Sequence, residues 1–141
     1  MTGGTNVVVK EDNEHAGLRA VTLLMPPGNW VYFSPDQGRK HQGNPGVMSP
    51  LLARGHGYNH ACDGVIVFFD ERVLTLVYIE LKSRKPHRDD YEKQFQSTRQ
   101  FMRYVVGLLN EFHGTAFEIH PSDEHYIVLK LPTRGPSEKI Q

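Results

Sequence analysis

Glu80 and Lys82 stand two residues apart in the run Val73–Lys82, so on a strand both side chains leave from one face. Their neighbours Ile79 and Leu81 are apolar, and the run otherwise reads as buried. A charged pair is costly in such a place unless something binds it. Upstream, Asp63-Gly-Val-Ile-Val-Phe-Phe69 is a second β-branched and aromatic run, separated from the first by Asp70-Glu71-Arg72. Two such runs around a short polar break predict an antiparallel hairpin. With an even-numbered loop centred on Glu71-Arg72, the numbers of opposed residues add to 143. That register sets Asp63 across from Glu80 on the same face, with Cβ atoms roughly 4.5–5.5 Å apart. A three-residue loop would set Asp63 against Ile79 instead. Glu71-Arg72 lacks the glycine or asparagine favoured in two-residue loops, so a four-residue loop, Asp70 to Val73, is expected to keep the same register. Like charges so placed repel unless a cation lies between them, and a divalent ion at about 2.0–2.5 Å from each carboxylate converts the repulsion into a binding site. Such an ion acidifies water and offsets charge on a phosphoryl oxygen. Lys82 would orient or deprotonate that water, or neutralise the transition state. Hard oxygen ligands point to magnesium or manganese rather than zinc.

Asp63, sixteen intervening residues and Glu80-Leu81-Lys82 after an apolar strand resemble the signature of the PD-(D/E)xK, or restriction-endonuclease-like, nuclease superfamily. The resemblance covers roughly residues 13–131 and leaves a glycine-rich segment at 35–60 without a counterpart. It implies an α/β fold with a restriction-endonuclease-like core: a central mixed β-sheet of about four strands flanked by helices in αβββαβ order. It implies that Asp63, Glu80 and the Leu81 backbone carbonyl hold Mg2+ or Mn2+, and that Lys82 is the catalytic base or stabiliser. Many members place a glutamine of the following helix near the metal, and Gln94 fits best, on the flank of the helix's apolar stripe. Gln100, in Gln100-x-x-x-Tyr104, ranks second because it points away from that stripe. Glu14 is the candidate for the first-helix glutamate that some members add. Cys62 replaces the name-giving proline, the loosest element of the motif. The implied activity is hydrolysis of phosphodiester bonds, in DNA in preference to RNA, as in phage defence, restriction, recombination or repair. A homodimer would supply two sites for cutting both strands. The rival reading is a catalytically inactive nucleic-acid-binding or regulatory module of the same fold.

Several elements must position these residues. Residues 13–25, stopped by Pro26-Pro27, read as a helix capped at Asp12 or Asn13, with Leu18, Val21 and Met25 at helical spacing; a strand is the alternative, because Val, Thr and Leu dominate its second half. Residues 29–33 read as a short strand. Residues 35–60, with five glycines, three prolines and three histidines, read as an insertion or loop. From Asp89, the positions Tyr91, Phe95, Thr98, Met102, Val105, Leu109 and Phe112 form one apolar stripe of a long helix. Asp89 with Glu92 resembles a capping box, and Gly114 is a terminator. Tyr126–Leu131 reads as a last strand. The whole is one domain, residues 1–132, with a flexible tail at 133–141.

The chain has 141 residues, and sixteen basic residues balance sixteen acidic ones, which excludes a generally cationic nucleic-acid coat. The charge is uneven, however: residues 82–103 hold seven basic residues against three acids. Arg84, Lys85 and Arg88, just beyond Lys82, would meet a phosphate backbone crossing the site, or else form a solvated helix start. One cysteine excludes an intrachain disulfide. His56-x-x-x-His60 has the spacing of half a zinc site only on a helix, which Gly55 and Gly57 oppose. No run is long enough to span a bilayer, and the start has no cationic cap before an apolar stretch. A cytoplasmic protein without a membrane partner is expected.

Overall fold

The structure is a computed structural model that describes residues 5–11, 15–35, 60–83 and 88–131. These build strands β1 (Asn6–Lys10), β2 (Ala20–Leu24), β3 (Trp30–Phe33), β4 (Gly64–Asp70), β5 (Val73–Lys82) and β6 (Glu118–Lys130), and a helix α1 (Asp89–His113). The hairpin forms in the expected register, Gly64 opposite Ile79 and Asp70 opposite Val73. Its loop is shorter than expected. Asp70 and Val73 already pair, so only Glu71 and Arg72 turn the chain, and Glu71 takes φ 53°. A tight hairpin demands that left-handed backbone, and here a glutamate supplies it.

The strands lie in the order β3-β4-β5-β6. The first two pairings are antiparallel, while β5 and β6 are parallel and joined through α1. The sheet is therefore mixed, and the fold is α/β with more strand than helix. Alternation along the strands separates two cores. Val65, Val67, Leu74, Leu76 and Tyr78 face Phe95, Met102 and Val106 of α1. Ile66, Ile79 and Leu81 face the other way, onto Val7, Val9 and Met25.

That second face corrects the reading of residues 13–25 as a helix. Residues 20–24 are a strand, paired antiparallel with β1 as a two-stranded ribbon (Val7 to Leu23, Val9 to Val21). The β-branched Val21 and Thr22 disfavour a helix, and a strand's two-residue period lets Val21 and Leu23 sink while their neighbours stay in solvent. The αβββαβ order expected for the core is accordingly not what the described residues form; five strands precede the helix. The segment after Ala16 is also tied to the sheet, because the Leu18 N–H donates to Ser83 Oγ at 2.9 Å.

α1 begins at Asp89 and ends at Gly114 (φ 65°), as expected. The capping box does not form. Arg88 precedes the helix in right-handed geometry with no side-chain cap, and pairs instead with Glu92 (Nε to Oε2, 3.4 Å). The apolar stripe also drifts: Val106 is buried while Phe112 is 76% exposed. A 4,3,4,3 spacing averages 3.5 residues against 3.6 per turn, a slip of about 20° per heptad that turns the far end of a straight helix off the sheet. β6 starts at Glu118 rather than Tyr126, with a register irregularity around Pro121, which an edge strand tolerates. No helix among the described residues is long and apolar enough to cross a membrane.

Candidate active site

Asp63 lies immediately before β4, and Glu80 and Lys82 lie at the end of β5. The even-numbered β5 side chains, Leu74, Leu76 and Tyr78, face α1, so Glu80 and Lys82 share that side. Asp63 and Glu80 are each only 3% exposed. Backbone groups lock the two together. The Leu81 N–H donates to Asp63 Oδ2 at 2.7 Å, and the Asp63 backbone N–H in turn bonds the Glu80 carboxylate. Lys82 Nζ donates to Glu80 Oε1 at 2.9 Å, with its side chain 23% exposed. The other oxygen, Glu80 Oε2, is buried with no hydrogen-bond partner among the described residues.

Burial is the main reason that the Glu80 carboxyl is raised to about 7; the Lys82 hydrogen bond and charge pull it down, and the charge of Glu11 pushes it up. The lysine thus compensates one oxygen and leaves the other without a donor among the described residues. Leaving a buried carboxylate oxygen in that state costs about 1–3 kcal/mol or more.

The surroundings keep these groups in place. Tyr32 of β3 lies against Gly64, where an added Cβ would come 2.8 Å from its Cε2. Only glycine permits that approach. Burial, and then the charge of Asp63, push the Tyr32 phenol up to about 12, so it stays a neutral donor near the site. Cys62 is fully buried, and its N–H donates to Thr98 Oγ1 at 2.9 Å, tying α1 to the start of β4. Burial raises its thiol to about 12, so it serves as a small inert residue.

The remaining expected residues divide. Gln94 lies half-buried on α1, and no hydrogen bond joins it to Asp63, Glu80 or Lys82; Gln100 is exposed. Arg88 is at the start of α1 with its side chain 80% exposed. His60 is exposed. Glu14, Arg84, Lys85, His56, the segment 36–59 and the tail lie outside the described residues.

Two acids escaped the sequence reading. Glu11, whose N–H donates to the Arg19 carbonyl at 2.8 Å, directly follows β1 and lies close enough to act on Glu80. Its signal was only an acid after the short Val7-Val8-Val9 run. Glu124 of β6 is buried under Tyr78, Arg99 and Arg103, at 3.1 Å from the Tyr78 hydroxyl, 2.8 Å from Arg99 Nε and 3.6 Å from Arg103 Nη2.

Among the described residues no three histidine, cysteine, aspartate or glutamate side chains gather into a metal-binding group. Magnesium does not require one: it keeps several waters and is commonly held by one or two carboxylates plus substrate phosphate. A buried Glu80 oxygen without a partner among the described residues, with the Asp63 carboxylate held on the adjacent Leu81 N–H, fits that demand. Comparison of the chain with protein-family models, curated proteins and solved structures returned no match.

Proposed function

We propose that this protein is a metal-dependent nuclease hydrolysing phosphodiester bonds, with DNA favoured over RNA, built on a restriction-endonuclease-like arrangement of strands. The observation that carries the reading is Glu80 Oε2, a buried carboxylate oxygen without a donor among the described residues, on a side chain whose other oxygen takes the Lys82 amine at 2.9 Å and whose chain neighbour Leu81 binds Asp63. Asp63 and Glu80, with the Leu81 carbonyl, are the residues that would hold Mg2+ or Mn2+. When bound, the ion supplies Lewis-acid stabilisation of phosphoryl charge and an acidified water.

The chain's own groups do the rest. The Leu81 N–H and the Asp63 N–H fix the two carboxylates before any ligand arrives, so no reorganisation is required of them. Lys82, the most exposed of the three, reaches from Glu80 toward solvent and presents its protons to a phosphate oxygen or to the attacking water. Cys62 and Tyr78, buried on the same side of the sheet, exclude bulk water and strengthen every charge interaction there.

The test is incubation with plasmid, single-stranded DNA and RNA, each with Mg2+, Mn2+ or EDTA. Cleavage that needs metal and disappears in Glu80→Ala and Lys82→Ala supports the enzyme. Binding that survives EDTA without cutting of any substrate instead assigns the silent binding module.

A further inference from the structure

We infer that a cleft beside this site stacks an unpaired nucleobase, making single-stranded nucleic acid the substrate class. The inference rests on the nuclease reading for its role, but its own binding test is separate. The cleft, about 310 Å³, lies between the first turns of α1 and β6. Four aromatic rings form a chain, the first three lining the cleft: Tyr91 edge-on to Phe95 (5.8 Å), Phe95 edge-on to Tyr126 (5.3 Å), and Tyr126 stacked on Tyr78 at 5.0 Å and 9°. Tyr126 is nevertheless 46% exposed, an aromatic ring held by its stack on Tyr78 and still reachable from solvent at the cleft. Such a ring is a prepared stacking platform, because its orientation costs nothing when a ligand arrives.

Cations border the rings. Arg99, fixed through Nε on the buried Glu124, keeps its side chain 32% exposed, and Arg88, paired through Nε with Glu92 of the same wall, stands 80% exposed at the opposite end. The Gln96 amide, exposed on the same wall, offers both donor and acceptor to a base edge. Aromatic faces flanked by guanidinium groups bind bases and phosphates together, whereas a base inside a duplex hides both its faces.

Position links the cleft to the acids. Tyr126 pairs with Tyr78, which lies two residues before Glu80 on the same face. Strand geometry puts the Glu80 and Tyr126 Cα positions roughly 8 Å apart. A phosphate at Glu80 would thus have a neighbouring base within reach of the Tyr126 ring.

Fluorescence anisotropy in EDTA, with labelled oligothymidylate and a matched duplex, tests this without cleavage. Tyr126→Leu and Tyr91→Leu are each expected to weaken single-strand binding about tenfold. Arg88→Gln, at a side chain too exposed to affect folding, is expected to lower the slope of log K against log salt by about 0.7. Undiminished binding in all three variants, no binding of the single strand, or a duplex bound as tightly as the single strand would overturn the cleft. Absence of metal-dependent cutting, with these binding effects intact, would remove the nuclease reading and leave the cleft standing.

Discussion

Two buried glutamates sit one strand apart on the same side of the sheet, and their surroundings differ. Glu124 on β6 is saturated: the Tyr78 hydroxyl binds Oε1, Arg99 binds Oε2 and Arg103 approaches it. Glu80 on β5 has Lys82 on Oε1 and no partner on Oε2 among the described residues. Both are nearly inaccessible, 8% and 3% exposed. A buried carboxylate that joins two strands to a helix is expected to be fully bonded, as Glu124 is. On the proposed function, the open second oxygen of Glu80 is held for the metal ion. The proposed function thus assigns a structural charge to Glu124 and a functional one to Glu80.

The contrast yields graded expectations. The largest concerns activity: Asp63→Asn and Glu80→Gln should each lower metal-dependent cleavage by about a thousandfold while leaving a folded protein, as initial rates on plasmid or single-stranded DNA would show. Residual cutting near the wild-type rate in either variant would break the contrast at its functional side.

Next comes stability. Glu124→Ala strands Arg99 and the Tyr78 hydroxyl, and should cost about 3 kcal/mol or more in urea denaturation. A loss under about 1 kcal/mol would mean that Glu124 does not hold the sheet to the helix.

A smaller effect follows from protonation of Glu80. Its folded pKa of about 7 lies above the ordinary 4.5, so the native state holds that proton more tightly than the unfolded chain. The resulting stability is fully present below pH 4.5 and is lost as pH rises through about 7. Glu80→Gln should therefore flatten the stability curve between those values and exceed the wild type above pH 7 by about 1–3 kcal/mol in EDTA. The smallest expectation is at Gly64→Ala, where the new methyl must displace the Tyr32 ring, at about 1 kcal/mol by thermal melting.

The hairpin was legible because its determinants are local: two apolar runs and a three-residue polar break leave few registers, and Gly64 to Ile79 is the one found. Its loop was not, since the propensity of Glu71 gave no hint of φ 53°. The same locality explains α1, whose ends were read to the residue, although the 3.5-residue stripe turns off the sheet before Phe112. β2 was misread because Leu18, Val21 and Met25 satisfy a helical period by chance; the partner that makes the segment a strand is the separate run Val7-Val8-Val9. The acidic pair with its lysine could be read from one hairpin. Glu124 could not, because Tyr78 and Arg99 meet it from 46 and 25 residues away. Glu11 escaped for a similar reason, since the ribbon that brings it toward Glu80 was itself unrecognised.

Titration calorimetry with Mn2+ on the purified protein tests the central claim most directly. One ion is expected to bind per chain at pH 7.5 to 8, where Glu80 is mostly ionised, with binding lost in both Asp63→Asn and Glu80→Gln and kept in Glu124→Gln. No Mn2+ binding, or binding that survives both site substitutions, would contradict it.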